Sequence, residues 1–407
     1  MNTNKVLDIN RPVSFDETIT RYEIHSYPPA TSISLDSTDN VIININQESA
    51  YLLISESGIY LEGQFKKSDG NNLDANSAID FANNGLCFLF NEIRLEMNSI
   101  EIDSSKHCGL SSALKGYPSF SPSESKKYEV CGWNSNKLLN KTDFTFSGFI
   151  PLKFILGFAE SYDKIILNQR LDLIISRENN CKNALISTTV NDVKVQFSKI
   201  LWKVPHIQVN DSLRLELLTK YKQNIPITIG FKKWSLSYYP QIPITAENSW
   251  SIKCSNQLEK PRYIIFGFQS SRENDLTKDP SKFDHVNLKN LKVFLNSEVY
   301  PYEDLNLDIE KQRYLMLYLM YCSFQESFYD KVSEPLLGYT EFKDTAPLCI
   351  IDTSRQSELW KHSSTVDIRV EYEMKNAPPA DTTLYALIIH DILFKLYPLT
   401  NIVQKIM

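Results

Sequence analysis

The sequence predicts an all-β protein made of two tandem antiparallel β-sandwiches or barrels. Three observations support this class. Short runs of β-branched and aromatic residues recur along the chain, Asn- and Ser-rich turns separate them, and few segments have a helical pattern. A chain of 407 residues has room for about two large β domains. Its 42% of hydrophobic and 23% of charged residues are typical of a globular protein.

The predicted strands follow one another at short intervals, and many alternate apolar and polar positions. In the first half they are VIININ, AYLLISESGIYLEGQF, LCFLFNEIRLEM, KIILNQRLDLIIS and DVKVQFSKILWKV. In the second half they are SLRLELLTKY, ITIGFKKWSLSYY, SWSIKCS, RYIIFGFQ, LKNLKVFLN, APLCIIDTS, VDIRVEYEM and TLYALIIHDILF. This spacing favours antiparallel sheets and fits a parallel α/β sheet poorly.

The segments between the strands have a different character. Helical patterns occur in PLKFILGFAE after Pro151 and in residues 310–328, whose apolar positions suit a partly buried helix. Residues 103–130 are rich in Gly, Ser and Pro and are predicted to be the most loop-like long stretch of the first half. Residues 1–39 are polar and interrupted by Pro, which predicts an extended N-terminal arm.

An internal repeat indicates that the two halves are related. IRLEMNS at 93–99 aligns with LKVFLNS at 291–297, an offset of about half the chain. Both copies alternate apolar positions before an Asn-Ser turn, although such strands are common enough to match by coincidence. Two strand-rich halves of similar length favour tandem related domains, with a boundary near 205–211. The predicted limits are an arm at 1–39, a first domain at 40–206, a second domain at 207–395 and a tail at 396–407.

Charge and hydropathy exclude several function classes. The formal net charge is −6, and the 43 Lys and Arg are scattered, so we expect no direct binding to nucleic acid. The N-terminal residues lack the apolar core of a signal peptide, and apolar runs such as LYALIIHDILF are shorter than the roughly 20 residues that span a bilayer. We therefore expect a protein made inside a cell and not secreted through a signal peptide. Contact with a membrane is left open.

Cysteine, histidine and glycine do not form known cofactor or metal motifs. The seven Cys are an odd number without a C-x-x-C pair, so we expect reduced thiols, several of them in the core. The 12 Gly form no phosphate-binding loop, and no G-x-S-x-G elbow occurs. The sequence therefore predicts no bound cofactor and no metal ligand. The Cys are Cys87, Cys108, Cys131, Cys181, Cys254, Cys322 and Cys349, and the isolated His are His25, His107, His206, His285, His362 and His390.

A charged loop between two predicted strands holds the strongest candidates for catalysis. It contains Asp275, Asp279, Asp284 and His285. An adjacent Asp and His could act as a base with an orienting carboxylate. The alternative, which we favour, is that these residues form an ordinary loop.

Two other pairs raise the same question. His390-Asp391 lies in the last predicted strand, where His390 interrupts an apolar run as a core or interface histidine would. His107 precedes Cys108, but neighbours in a loop do not by that fact form a catalytic pair. We predict no catalytic residue.

The aromatic content of 21 Tyr, 21 Phe and 5 Trp could serve glycan or base stacking, or the packing of β domains. Packing is favoured because Trp202, Trp234 and Trp250 fall in predicted strands.

Several blocks together resemble one family. KPRYIIFGFQ, NDLTKDPSKFDHVNLKNLKVFLNSEVYP, PLCIIDTSRQSE, VDIRVEYE and LYALIIHDILF, with FNEIRLEMNSIEID and GFIPLKFILGFAESYDKIILNQRLDLIISR upstream, resemble the double jelly-roll major capsid proteins of Maverick/Polinton elements and adintovirus-like DNA viruses of animals. The resemblance covers roughly residues 80–395 in collinear order. The arm before residue 40 and residues 314–330 depart from the family's pattern.

The resemblance implies two tandem eight-stranded antiparallel jelly rolls with short helices in the loops. It also implies a structural, non-catalytic protein of the virion, whose trimer forms a pseudo-hexameric capsomer of an icosahedral shell. Its partners would be neighbouring capsomers, a single jelly-roll penton protein and minor capsid proteins. The charged loop at 270–283 would then be soluble architecture or contact a neighbouring capsomer.

Other readings remain open at this point. A virus-derived protein could form particles without packaging a genome. A tandem β-sandwich could instead bind glycans as an attachment protein. A glycan-cleaving enzyme would need paired carboxylates that the spacing does not supply.

Overall fold

The computed structural model describes residues 17–30, 40–46, 51–74, 76–134, 137–252, 261–296, 298–355 and 367–406. Cys254 and His362, two of the residues considered above, lie outside them. The strands are β1 (Ile19–Tyr27), β2 (Val41–Ile45), β3 (Tyr51–Leu52), β4 (Gly58–Lys66), β5 (Ile79–Phe81), β6 (Phe90–Met97), β7 (Ile100–Lys106), β8 (Thr145–Pro151), β9 (Ile166–Leu167), β10 (Leu171–Arg177), β11 (Leu185–Ser187), β12 (Lys194–Val209), β13 (Ile227–Tyr239), β14 (Glu247–Ile252), β15 (Pro261–Ser270), β16 (Leu288–Leu295), β17 (Glu298–Tyr300), β18 (Cys349–Asp352), β19 (Ile368–Met374), β20 (Thr382–Tyr397) and β21 (Ile402–Lys405). The helices are α1 (Cys108–Ser119), α2 (Pro122–Ser125), α3 (Leu152–Ile155), α4 (Gly157–Ser161), α5 (Asp211–Lys222), α6 (Leu315–Tyr329) and α7 (Tyr339–Thr345).

The strands of each half form two main antiparallel sheets, and β5 and β11 of the first half form a further two-stranded sheet. In the second half, β13–β20 supply one sheet in the order β13-β20-β15-β18 and another in the order β14-β19-β16-β17. The first sheet thus holds the first, eighth, third and sixth strands, and the second sheet holds the second, seventh, fourth and fifth. This arrangement of eight strands in two sheets is a jelly roll. β21 is added beside β20.

The first half has the same topology. β1, β12, β4 and β8 form one sheet, which β3 and β9 extend, and β2, β10, β6 and β7 form the other. Among the described strands, none pairs with a strand of the other half. The chain is therefore a double jelly roll with short helices in its loops, which confirms the predicted fold class.

The internal repeat marks equivalent strands. It falls on β6 and β16, the fourth strands of their jelly rolls, and the two have the same sequence of buried and half-buried positions. After each strand an Asn enters the left-handed region, with φ of 52° at Asn98 and 53° at Asn296. Asn tolerates this conformation better than most residues, which explains the shared turn. Ser297 lies outside the described residues.

One predicted strand is a helix. SLRLELLTKY lies in α5, which links the two jelly rolls. Its alternating Leu residues suggested a strand, but the end signals favour a helix: the Asn210 side chain accepts a hydrogen bond from the Leu213 amide at 2.9 Å, and Lys220 and Lys222 lie in the last turn. None of its residues is buried, so no sheet face selects the extended conformation.

The long stretch that was most loop-like in sequence is largely helical. Residues 103–130 contain the end of β7, then α1, α2 and a 3-10 turn. The small residues of α1 suggested a loop, but they allow close packing. A Cβ at Gly109 would lie 2.3 Å from the Phe88 ring, so glycine lets the helix approach the core.

Part of the predicted N-terminal arm is a sheet strand. β1 pairs antiparallel with β12, from Ile19 opposite Val209 to Tyr27 opposite Trp202. Neither face of β1 is fully buried, so it lacks the apolar alternation that reveals strands in a sequence. At the other end, β21 pairs with the last residues of β20, so residues 402–405 of the predicted tail also belong to a sheet.

The two predicted helical segments are confirmed as α3 with α4 and as α6. The Trp residues pack as expected, with Trp202 and Trp234 in the core and Trp250 half-buried against it.

The backbones of the two halves lie very close where α4 meets β13. A Cβ built on Gly157 would lie 1.8 Å from the carbonyl oxygen of Lys232 and 3.1 Å from the Trp234 ring. No side chain fits in this space. Gly157 therefore sets the distance between the two jelly rolls at this point.

Replacement of Gly157 by Ala should weaken the protein. We expect the free energy of unfolding to fall by about 1–3 kcal/mol, because backbone must move to admit the methyl group. The Gly230→Ala variant in β13 is the control, since the nearest atom to a Cβ there lies at the ordinary contact distance of 3.4 Å. It should not lower stability, because Ala is at least as favourable as Gly within an exposed strand. Chemical denaturation would measure both, and equal values would contradict the close approach.

Candidate functional site at the junction of the two jelly rolls

The aspartates of the charged loop form turns. The Asp275 carboxylate accepts hydrogen bonds from the Thr277 amide at 2.9 Å and its hydroxyl at 2.6 Å, and these bonds lower the pKa of Asp275. The Asp279 carboxylate accepts the corresponding bonds from Ser281 at 2.9 and 2.8 Å. Both motifs are turns closed by an Asp side chain. These carboxylates are occupied by structural contacts.

The main partners of Asp284 and His285 lie elsewhere in the loop. Asp284 forms a two-point ion pair with Arg272, at 3.0 and 2.6 Å, and also accepts the Ser270 amide at 2.9 Å. His285 Nδ1 accepts the Asn287 amide at 3.0 Å, and burial lowers the pKa of its imidazole. The adjacent residues thus serve two separate parts of the loop.

His390 and Asp391 point to opposite faces of β20, since neighbouring residues in a strand alternate. The His390 side chain is buried in the core, as predicted for a core histidine. Asp391 is half-buried, and its Oδ2 lies 2.7 Å from Arg262 Nε. This pair is not a catalytic dyad.

The charged loop instead joins the two jelly rolls. The Ser187 amide of the first jelly roll donates to the Leu276 carbonyl at 2.7 Å, and the Asn274 amide donates to the Asn183 side chain at 2.7 Å. The Tyr117 hydroxyl lies 3.3 Å from that of Ser281. The loop is therefore an internal contact, rather than the solvated connection that the sequence suggested.

A second contact of the junction joins β7 to β13. The Lys233 ammonium donates to Glu101 and to the Ser104 hydroxyl, both at 3.2 Å, and lies 3.9 Å from Asp103. Asp103 also accepts the Phe158 amide of α4 at 2.9 Å. Its burial raises the pKa of the carboxyl to about 6, although Lys233 and these hydrogen bonds oppose the shift.

The centre of the junction is a buried charged cluster. Lys115 of α1 is 3% exposed and donates to both carboxylate oxygens of Glu160 in α4, at 2.9 and 3.2 Å. The Tyr329 hydroxyl of α6 donates to Glu160 at 2.6 Å. The Lys115 ammonium also lies 4.9 Å from the Trp234 ring centroid and 4.6 Å from that of Phe328. Elements of both jelly rolls thus enclose one positive charge.

Burial explains the electrostatics of this cluster. It lowers the pKa of Lys115, although Glu160 opposes the effect, and it raises the pKa of Tyr329. A buried ion pair of this kind requires close partners, because an unpaired charge in the interior is costly. The cluster therefore ties correct placement of α1, α4 and α6 to the stability of the whole chain.

Sequence reasoning missed Lys115, Glu160 and Tyr329. The available signal was a single Lys in the sequence SSALKGYPS, which otherwise lacks charge. A lone charge on such a helix indicates a buried partner elsewhere in the chain. Nothing in the sequence spacing identifies that partner.

A cleft of about 520 Å³ opens beside this cluster, and its charged side chains are paired within the protein. Lys232 donates to the Phe328 carbonyl at 3.0 Å, Asp391 pairs with Arg262, and Glu160 holds Lys115. Within the described ranges, no three His, Cys, Asp or Glu side chains are placed to hold a metal ion. No described helix is long and apolar enough to cross a membrane.

Cysteine thiols lie mainly in the interior. The six described cysteines are free thiols, and five of them are buried. Burial raises the pKa of Cys181 to about 11 and that of Cys349 to about 12. The Cys108 thiol donates to the Ser105 carbonyl at 3.4 Å, and burial also raises its pKa.

The Lys115→Met variant should be strongly destabilised. It leaves the Glu160 carboxylate in the junction without its cation, and we expect a loss of about 3 kcal/mol or more in the free energy of unfolding. The Lys220→Met variant is the control, because Lys220 and Glu216 form an exposed ion pair. It should cost no more than about 0.5 kcal/mol.

The Lys115→Met/Glu160→Gln double variant completes this test by chemical denaturation. It removes both charges and should be more stable than Lys115→Met alone. If the Lys115→Met variant loses less than about 1 kcal/mol in the free energy of unfolding, the cluster does not stabilise the junction as we expect.

The Asp103→Asn variant should remove one source of pH dependence. In the folded protein the Asp103 carboxyl has a pKa of about 6 and keeps its proton up to that pH. In the unfolded chain its pKa is about 4, so it loses the proton at a lower pH. The wild-type free energy of unfolding should therefore fall, relative to that of Asp103→Asn, as the pH rises through this interval. Denaturation at a series of pH values measures the difference. The exposed Asp344→Asn variant should keep the wild-type pH dependence, and a constant difference for Asp103→Asn would contradict the assignment.

Comparison with known proteins agrees with the fold. The family model described as a double jelly roll-like domain matches residues 79–394. A comparison with curated proteins finds no match.

Solved structures with the same fold come from several viruses. A chain of the Sputnik virophage, solved by cryo-EM, is similar with a TM-score of 0.64 and 12% identity, covering 98% of this chain and 91% of that one. The Faustovirus major capsid protein has a TM-score of 0.60 and 9% identity, over 95% and 92%. The mavirus major capsid protein has a TM-score of 0.55 and 12% identity, over 100% and 93%. From the family match, the chain belongs to the double jelly roll-like domain family.

Proposed function

We propose that the protein is a major capsid protein whose trimer forms a pseudo-hexameric capsomer, and that these capsomers tile an icosahedral viral shell. The proteins with this fold include the Faustovirus and mavirus major capsid proteins. They support the proposal because the likeness extends over nearly the whole of each chain. The protein would act in the virion, after assembly in the host cell.

The observation that carries the proposal is the duplication of one topology within the chain. Both halves place their strands in the same two sheet orders, and their fourth strands share one burial pattern. Three such chains contain six similar jelly rolls. Closed threefold symmetry of the chains then gives a six-cornered unit, which is the shape that packs into a hexagonal lattice. A lectin or attachment protein has no comparable need for two matched halves.

We propose a structural and non-catalytic role. The carboxylates that suggested catalysis close turns or pair with arginine. At the junction, the Tyr329 hydroxyl binds Glu160 and Lys233 pairs with Glu101, and these contacts hold the two jelly rolls together. This use of the acidic residues supports architecture as their function.

The finer assignments extend the same proposal. We infer that the chain belongs to the Maverick/Polinton and adintovirus-like lineage, because its sequence blocks resemble proteins of that lineage, and the likeness to mavirus supports this inference. The partners would be neighbouring capsomers, a single jelly-roll penton protein and minor capsid proteins. The scattered positive charge supports a shell protein without direct contact to nucleic acid.

Mass measurement and negative-stain microscopy of the purified protein test the proposal. We expect a stable species of three times the chain mass, with a hexagonal outline, because six similar jelly rolls surround one threefold axis. Light scattering across a concentration series gives the mass. A monodisperse monomer would contradict the proposal and favour the glycan-binding alternative, which an array of immobilised glycans would then test.

A further inference from the structure

We propose that two stacked histidines, His25 and His206, make the attachment of β1 to β12 sensitive to acid. As the pH falls below about 6.5, the imidazoles take up protons and β1 opens more often. This device lies within one chain and does not depend on the proposed capsomer.

The two rings come from neighbouring strands that are far apart in the sequence. In the pairing of β1 with β12, Glu23 lies opposite His206. His25, the next residue on the same face of β1, is then the diagonal neighbour of His206. The ring centroids of the two histidines lie 4.0 Å apart, with 21° between their planes. The rings are therefore in direct contact.

The surroundings of His206 favour its neutral form. The residue is 7% exposed, and its Nε2 lies 2.8 Å from the Tyr27 hydroxyl, which donates to this nitrogen when it carries no proton. Burial lowers the pKa of His206, and His25 lowers it further, whereas Glu23 opposes both effects. Two charged rings in contact thus repel each other, and the neutral pair does not.

Glu23 compensates this repulsion only in part. Its Oε2 lies 3.4 Å from His25 Nε2, but its other carboxylate oxygen forms an ion pair with Arg21 at 2.5 Å. On the other side of β12, the residue opposite His206 is Leu52 of β3, which carries no charge. When both histidines are protonated, one carboxylate therefore faces three cations among these described residues.

The remaining contacts of β1 are modest. None of its residues is buried, and within the described part of the chain it pairs with β12 along one edge only. On its other face, the Tyr22 hydroxyl donates to Glu56 at 2.5 Å. Burial and this carboxylate raise the pKa of Tyr22 to about 12, so Tyr22 keeps its proton throughout. A strand held in this way opens at a small cost, and a modest electrostatic change alters how often it does so.

The direction of the pH effect follows from the lowered pKa of His206. When β1 opens, His206 becomes accessible to water and returns to its ordinary pKa of about 6.5. The open form therefore binds protons more tightly than the closed form. The attachment of β1 is strongest above about pH 6.5 and weakens as the pH falls below that value.

Hydrogen exchange of the purified protein, followed by mass spectrometry, tests the proposal. The protection factors of residues 19–27 are compared at about pH 7.5 and about pH 5.5, after correction for the intrinsic exchange rate at each pH. We expect β1 to lose at least about threefold in protection at the lower pH. The terminal strand β14, which contains no His, should keep its protection.

Substitutions assign the loss to the histidines. The His25→Gln/His206→Gln variant has an uncharged amide at each position, and its β1 protection should differ by less than about twofold between the two pH values. The His107→Asn variant is the control. The His107 ring packs against Tyr238 of β13, and Asn tolerates the left-handed φ of 48° at that position. This variant should show the wild-type loss.

Three results would overturn the inference: a wild-type β1 whose protection does not change with pH, a wild-type β1 without protection at the higher pH, or a double variant that retains the pH-dependent loss. If the double variant leaves β1 unprotected at both pH values, the His25→Gln variant decides. It keeps His206 with its Tyr27 contact and removes the repulsion, so it should lose less protection than the wild type in acid, and an equal loss would overturn the inference.

Discussion

The edge of a β-sheet presents unpaired backbone groups, and covering those edges is the constraint on which this molecule depends. The jelly roll covers the faces of its sheets by packing them together, but the outer strands remain. Within the chain, β7 and β13 lie against each other, and the ion contacts of Lys233 fix their alignment. Duplication of the jelly roll thus places β7 of the first jelly roll against β13 of the second, and each strand covers part of the other.

The charged residues of the junction favour one relative position of the two jelly rolls more than they strengthen the contact between them. A hydrophobic contact between the jelly rolls would tolerate small rotations, whereas the Lys115–Glu160 pair and the Tyr329 hydroxyl require defined distances. The loop at 270–283 adds directional hydrogen bonds to the first jelly roll through Leu276 and Asn274. The relative position of the two halves is consequently set by polar geometry within an apolar surround.

The sequence predicted those strands in which one buried face makes apolar and polar residues alternate, such as β6, β16 and β20. The prediction was wrong where this alternation has another cause or is absent. The Leu residues of α5 alternate, but capping by Asn210 decides the helix. In β1, apolar and polar residues do not alternate, because neither face of the strand is fully buried. The junction was beyond reach, since Lys115 and Tyr329 are 214 residues apart and only the tertiary structure brings them together.

The burial of the thiols has a consequence for their reactivity. Oxidation and disulfide exchange begin from the thiolate, and burial suppresses that form at Cys181 and Cys349. In the capsid that we propose, these two sulfurs would therefore be poor starting points for covalent crosslinks between neighbouring subunits, even in an oxidising medium.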